Sequence, residues 1–138
     1  MHDKVFLDTN ILLYAYSEDE LLKQEVALKP LDTHEGSLHI SIQVINELSN
    51  ILLKKFKLST NEVESALLEI NDVATILSFD LKTQLKALKL KDRYQFQYYD
   101  ALIVATALES NCSILYSEDM QNQQLIENRL TIVNPFVI

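Results

Sequence analysis

Four short apolar runs, "KVFLD", "SLHIS", "VATILSF" and "SILYS", are separated along the chain by stretches carrying the 3.6-residue apolar period of helices, and a fifth, "TIVNPF", closes it. Two strands can lie parallel only if a long crossover, usually a helix, joins them. This alternation therefore predicts an α/β domain with a mostly parallel central sheet, helices on both faces, and ligands taken beyond the carboxyl ends of the strands. With 138 residues the chain is long enough for one core, and a single domain over 1–138 is expected.

The intervening segments carry their own punctuation. A helical pattern runs from Asn10 to about Lys29, interrupted by the solvated acidic stretch "SEDE" at 17–20. "SIQVINELSNILLKKFKL" reads as an amphipathic helix with Ser41 at its N-cap, and "STNEVESALLEI" as one capped by Ser59 or Thr60, with Glu62 or Glu64 in the first turn. "DLKTQLKALKLKDR" is a helix with an apolar stripe of Leu81, Leu85 and Leu88. "YYDALIVATALES" is so apolar that its helix must be almost wholly buried, and Asn111 is suited to the left-handed turn that ends it. Gly36 is the only glycine, which rules out a flexible glycine linker, a P-loop and a dinucleotide fingerprint.

Hydrophobic residues make up 48% of the chain and charged ones 23%, a globular balance, and no apolar run is long enough to span a membrane. The first apolar stretch is broken at once by Asp8, Thr9 and Asn10, so the N-terminus does not read as a secretory signal. Cys112 stands alone and reads as a small buried hydrophobe; with no intrachain disulfide available, a reducing cytoplasm is the expected compartment. A net charge of −8 argues against a protein that coats nucleic acid. Yet eight of the twelve basic residues fall in two segments, one with Lys54, Lys55 and Lys57, the other with Lys82, Lys86, Lys89, Lys91 and Arg93. In the second, Lys82, Lys86, Lys89 and Arg93 recur at i, i+4, i+7 and i+11, a basic stripe that either contacts a polyanion or lays its stems over the core edge.

Four acids stand out. Asp8 ends the first strand, Asp119 follows the fourth, and Asp100 stands at the head of the buried helix, where capping alone would account for it. Glu47 is harder to explain as surface. Ile40, Val44, Glu47 and Ile51 fall at i, i+4, i+7 and i+11, with Leu48 alongside, so this carboxylate sits inside an apolar stripe. A buried carboxylate needs a cation or a shared proton. The lysines cluster on other segments, whereas a hard divalent ion, Mg²⁺ or Mn²⁺, would satisfy several acids at once. His2, His34 and His39 lack zinc-site spacing and read as plain polar residues.

The stretches "VFLDTNILLYAY", "SIQVINEL", "YYDALIVATALESNCSILYSEDMQ" and "IVNPF" together resemble the PIN-domain ribonucleases, and among them the VapC-type toxins of prokaryotic toxin–antitoxin modules. The resemblance implies a Rossmann-like PIN fold. It also implies that Asp8, Glu47, Asp100 and Asp119 bind the metal, with Thr9, Asn10 and Ser117 orienting ligands or water. The implied activity is hydrolysis of RNA phosphodiester bonds, with Mg²⁺ or Mn²⁺ lowering the pKa of a bound water and neutralising phosphate charge. A small VapB-like antitoxin and a homodimer are implied as partners, the antitoxin blocking the acidic pocket with an inserted Arg. One departure is visible: Gln123 stands where many relatives have glycine.

Two other function classes remain at this level. A non-catalytic PIN-like interaction module would have lost one or more acids, and all four are present. A phosphatase or phospho-acceptor domain would use a second Asp two residues after the strand-end one, and "LDTN" lacks it.

Overall fold

A computed structural model describes residues 3–137; His2 lies outside the described residues. Six strands form one sheet, in the order β3-β2-β1-β4-β6-β5. Its centre is β1 (Val5–Leu7), paired in parallel with β2 (Leu38–Ser41) on one side and with β4 (Ile114–Tyr116) on the other. Outward lie β3 (Thr75–Leu77), parallel to β2, and β6 (Leu130–Val133), parallel to β4. All three residues of β1 are fully buried, as a central strand covered on both faces requires.

Helices α1 (Thr9–Tyr16) and α2 (Leu21–Thr33) lead from β1 to β2, and α3 (Ile42–Lys54) and α4 (Thr60–Val73) from β2 to β3. The chain then reverses direction, crossing by α5 (Leu81–Tyr94) and α6 (Tyr98–Glu109) to start β4 on the far side of β1. Right-handed crossovers in opposite directions put α1–α4 on one face and α5–α6 on the other. The packing agrees: α1 packs on α2 and α3, α3 on α4, and α5 on α6. The reversal falls between β1 and β4, and a crevice opens beyond their carboxyl ends, where such sheets take ligands.

Local chemistry explains the boundaries. Ser41 accepts from the Val44 N–H to start α3, Ser59 and Glu62 form a reciprocal capping box on α4, and Asp80 and Thr83 form one on α5. From Ala101 to Leu108 every residue of α6 is buried. It ends where Asn111 adopts φ +60° and the Cys112 N–H reaches back to the Ala107 carbonyl at 3.0 Å. Cys112 is buried with its thiol pushed up to about 11 by that burial, so it is an apolar core residue and no nucleophile. No helix among the described residues is long and apolar enough to cross a membrane.

Three expectations need correction. α2 continues past Lys29 to Thr33 with Pro30 inside its last turn, where the missing N–H costs a single hydrogen bond. A strand, β5 (Leu125–Ile126), not foreseen, pairs antiparallel with β6 across a tight turn at Glu127 and Asn128. Finally, Leu81, Leu85 and Leu88 do not face the core: they are 67%, 52% and 49% exposed, while Thr83, Ala87 and Leu90 are the buried side of α5.

Candidate active site

Asp8 closes β1 and is also the N-cap of α1, so its carboxylate lies at the crevice mouth. One oxygen accepts from the Thr9 N–H at 2.7 Å and the other from the Ser117 hydroxyl at 2.8 Å. Only 5% exposed, it is pushed up to about 6 by burial, a rise reinforced by the Glu47 and Asp100 charges and opposed by those two hydrogen bonds.

The other acids arrive from three further segments. Glu47, on α3, accepts from the Thr9 hydroxyl at 2.9 Å and from the Gln43 side-chain amide at 2.8 Å. Asp119, in the segment after β4, is exposed and accepts from the Asn10 side-chain amide at 2.9 Å, while its N–H donates to the Ser117 hydroxyl at 3.3 Å. Asp100 sits in the first turn of α6, but the N-cap there is Gln97 and no hydrogen bond reaches the Asp100 carboxylate among the described residues. The capping role that would explain Asp100 by itself is therefore not filled. Burial raises its carboxyl above the ordinary range, and the Asp119 and Glu47 charges raise it further. All four acids are thus linked by mutual repulsion, and Thr9, Asn10 and Ser117 each hold one or two of them.

Among the described residues, no three acid, imidazole or thiol groups stand close enough together to hold one ion as they are. Glu47 is turned towards Thr9 and Gln43, and Asp119 towards Asn10. The donor chemistry nevertheless fits a hard divalent cation: every ligand on offer is a carboxylate oxygen, one acid is dry, and another has no hydrogen-bond donor of its own.

The basic stripe on α5 is not a unit. Arg93 Nη1 donates to both carboxylate oxygens of Glu127, at 2.6 and 2.8 Å, in the turn before β6 and hence at the amino edge of the sheet, away from the acids. Lys86 lends its field to Glu127 without bonding to it, and none of Lys82, Lys86 and Lys89 forms an ion pair among the described residues.

Two features escaped sequence reading. Gln43 precedes Glu47 by one helical turn, and its amide joins Glu47 to the Tyr99 carbonyl at 3.1 Å; the i, i+4 spacing was the available signal. Lys23 on α2 donates to Glu118 at 2.9 Å and to the Tyr14 hydroxyl at 3.1 Å, and Tyr14 donates to Glu118 at 2.9 Å. This clasp anchors the segment carrying Asp119 to α1 and α2, and its partners are too far apart in sequence to leave a local signal. At Gln123 the backbone takes φ +66°, so the left-handed turn that suits glycine is kept without it.

The PIN domain family model matches residues 5–125. No curated protein matches this sequence. Among solved structures, a toxin–antitoxin complex from Klebsiella pneumoniae is similar with a TM-score of 0.75 at 20% identity, over 97% of this chain and 99% of that one. The sarcin–ricin loop-cleaving toxin VapC20 of Mycobacterium tuberculosis gives 0.66 at 12% identity, over 80% and 86%. VapBC2 from Rickettsia felis, bound to a DNA fragment from its promoter, gives 0.61 at 21%, over 83% and 87%. At these identities the likeness is one of fold.

Proposed function

Because the chain belongs to the PIN domain family, we propose that it is a metal-dependent endoribonuclease of the VapC toxin type, held in check by a small antitoxin. The observation that carries this reading is the convergence of Asp8, Glu47, Asp100 and Asp119 on one crevice, with Asp8 buried and the Asp100 carboxylate without a donor among the described residues. Acids kept together against their own repulsion are explained by a cation, and the PIN family supplies the reaction.

Asp8, Glu47, Asp100 and Asp119 would hold a Mg²⁺ or Mn²⁺ ion, which would supply the Lewis-acid activation of water and the charge neutralisation that phosphodiester hydrolysis needs. The chain's own groups prepare for it. The Thr9 N–H and Ser117 hydroxyl fix both oxygens of Asp8, the Thr9 hydroxyl and Gln43 aim Glu47, and Asn10 steadies Asp119. The acidic crevice repels a polyanion, so the RNA backbone is gripped elsewhere, with Lys82, Lys86 and Lys89 as the candidate contacts and Arg93 set aside by its tie to Glu127. The same acids offer an antitoxin arginine a bidentate seat. The homodimer and the cytoplasmic location belong to this reading too; light scattering of the purified protein checks the first.

The experiment is cleavage of an RNA panel by metal-stripped protein with Mg²⁺, Mn²⁺ or chelator, with Asp100→Asn as control. Cleavage restored by either ion and absent in the variant supports the reading. Cleavage that survives chelation, or that the variant retains, removes it.

A further inference from the structure

Beside Glu47, on the side away from Asp8, lies a cleft of about 670 Å³ between α3, α5 and α6. Its walls carry four side-chain amides, Gln43, Asn46, Asn50 and Gln84, and three aromatic rings, Phe79, Tyr98 and Tyr99. We propose that this cleft takes one unpaired nucleobase of the RNA next to the bond that is cut. The proposal rests on the ribonuclease reading above and adds to it the element that selects the substrate.

The chemistry of the walls points to a flat, uncharged ligand edged with donors and acceptors. No Lys or Arg lines the cleft and Glu47 borders it, so a phosphate is disfavoured there. Each amide offers both a donor and an acceptor, the equipment that reads a base edge. Tyr99 is 67% exposed, an unusual setting for a large ring. The Tyr98 ring meets it at 5.4 Å and 67°, an edge contact that fixes its orientation and leaves a face for stacking. Gln43 joins this cleft to the acids: its Nε2 donates to both Glu47 and the Tyr99 carbonyl, tying the acid to the backbone that carries the stacking ring. Gln43, which lines this same cleft, is itself 7% exposed, and its Oε1 is the one buried side-chain polar atom among the described residues without a hydrogen-bond partner. A base amino group is a donor of the kind that atom lacks.

A base inside a duplex has its edge paired and its faces stacked and cannot enter. The cleft therefore selects unpaired positions, and it selects among bases at one fixed position from the cut.

The test is to digest a random-sequence RNA pool with Mn²⁺-loaded protein, sequence the product ends, and compare wild type with Tyr99→Ala, Tyr99→Phe and Gln84→Leu. Wild type should show one base enriched at a fixed position beside the cut, in unpaired segments. Tyr99→Ala should lose that enrichment and cut the favoured sequence about tenfold more slowly, the scale of one lost stack. Tyr99→Phe should keep it, and Gln84→Leu should change which base is favoured. Mn²⁺ affinity and melting temperature should stay near wild type in all three. Enrichment unchanged in Tyr99→Ala and Gln84→Leu overturns the proposal while leaving the ribonuclease reading intact. So does an altered oligomeric state in these variants with the cutting pattern preserved, which would make the cleft a contact between copies. Wild type that cuts no RNA with Mn²⁺ overturns the ribonuclease reading, and this proposal with it.

Discussion

Asp8 concentrates the electrostatic cost of the crevice in one residue. Its carboxyl is raised from 3.8 to about 6 in the folded chain, so folding favours its protonated form. The stability this contributes is present below about pH 4 and lost as pH rises through about 6, by at most about 3 kcal/mol. Metal-free Asp8→Asn should therefore melt at or above wild type at pH 7 and lose that advantage near pH 4, a comparison that thermal denaturation at the two pH values makes directly. Mn²⁺ needs the ionised carboxylate, so its affinity for wild type should fall as pH drops below about 6. Glu47 has two donors, one of them a hydroxyl that can turn to accept. Glu47→Gln should accordingly be inactive yet melt no lower than metal-free wild type. Wild type should gain about 2.7 kcal/mol at a hundredfold excess of Mn²⁺ over its dissociation constant, on the order of 5–10 °C, and the variant clearly less; a variant that melts well below wild type would make Glu47 a structural residue. At Gln123 the φ of +66° is a conformation glycine adopts freely. Gln123→Gly should raise the melting temperature by about 2–4 °C, corresponding to roughly 0.5–1 kcal/mol of relieved strain.

Elements were legible where a side chain announces its own boundary. Ser41, Ser59 and Asp80 lie within a turn of what they cap, and Asn111 closes α6 as a left-handed residue should. The hairpin of β5 and β6 was hidden because its turn places Glu127 and Asn128 at φ +52° and +57° without the glycine that usually marks such a turn. What holds Glu127 there is distant in sequence: the Tyr94 hydroxyl and Arg93 both bond its carboxylate. On α5 the periodicity identified a helix, but two faces were on offer and the one with smaller residues won: Thr83 and Ala87, with Leu90, pack α5 on α6, and Leu81, Leu85 and Leu88 are left outside. Reversing Lys86 and Lys89 to Glu should weaken RNA binding and flatten its dependence on salt without altering Mn²⁺ affinity, whereas Arg93→Ala, already paired with Glu127, should leave the salt slope unchanged. An equal salt slope in the lysine variant would return that stripe to plain solvated surface.

At the scale of the whole molecule, the strand order gathers residues that the sequence keeps apart. Asp8 and the segment with Ser117 and Asp119 leave neighbouring strands at the point where the order reverses, and the second turn of α3 and the first turn of α6 bring Glu47 and Asp100 to the same crevice. The mostly parallel sheet could be read from alternation, and the four acids proposed as metal ligands could be picked out by position and resemblance. The orientation of each carboxylate could not, because it is set by Thr9, Asn10, Gln43 and Ser117 acting across the fold. A net charge of −8 with an acidic crevice disfavours a polyanion at that end of the sheet. The most direct measurement is cleavage of one RNA by metal-stripped wild type, Asp8→Asn, Asp100→Asn and Asp119→Asn after Mn²⁺ is restored, with melting temperatures taken alongside. Wild type should recover full activity, and each variant should be at least about 100-fold slower, as several kcal/mol of lost charge stabilisation implies, while still melting as a folded protein. Near wild-type cleavage by any of the three folded variants would contradict a shared carboxylate site.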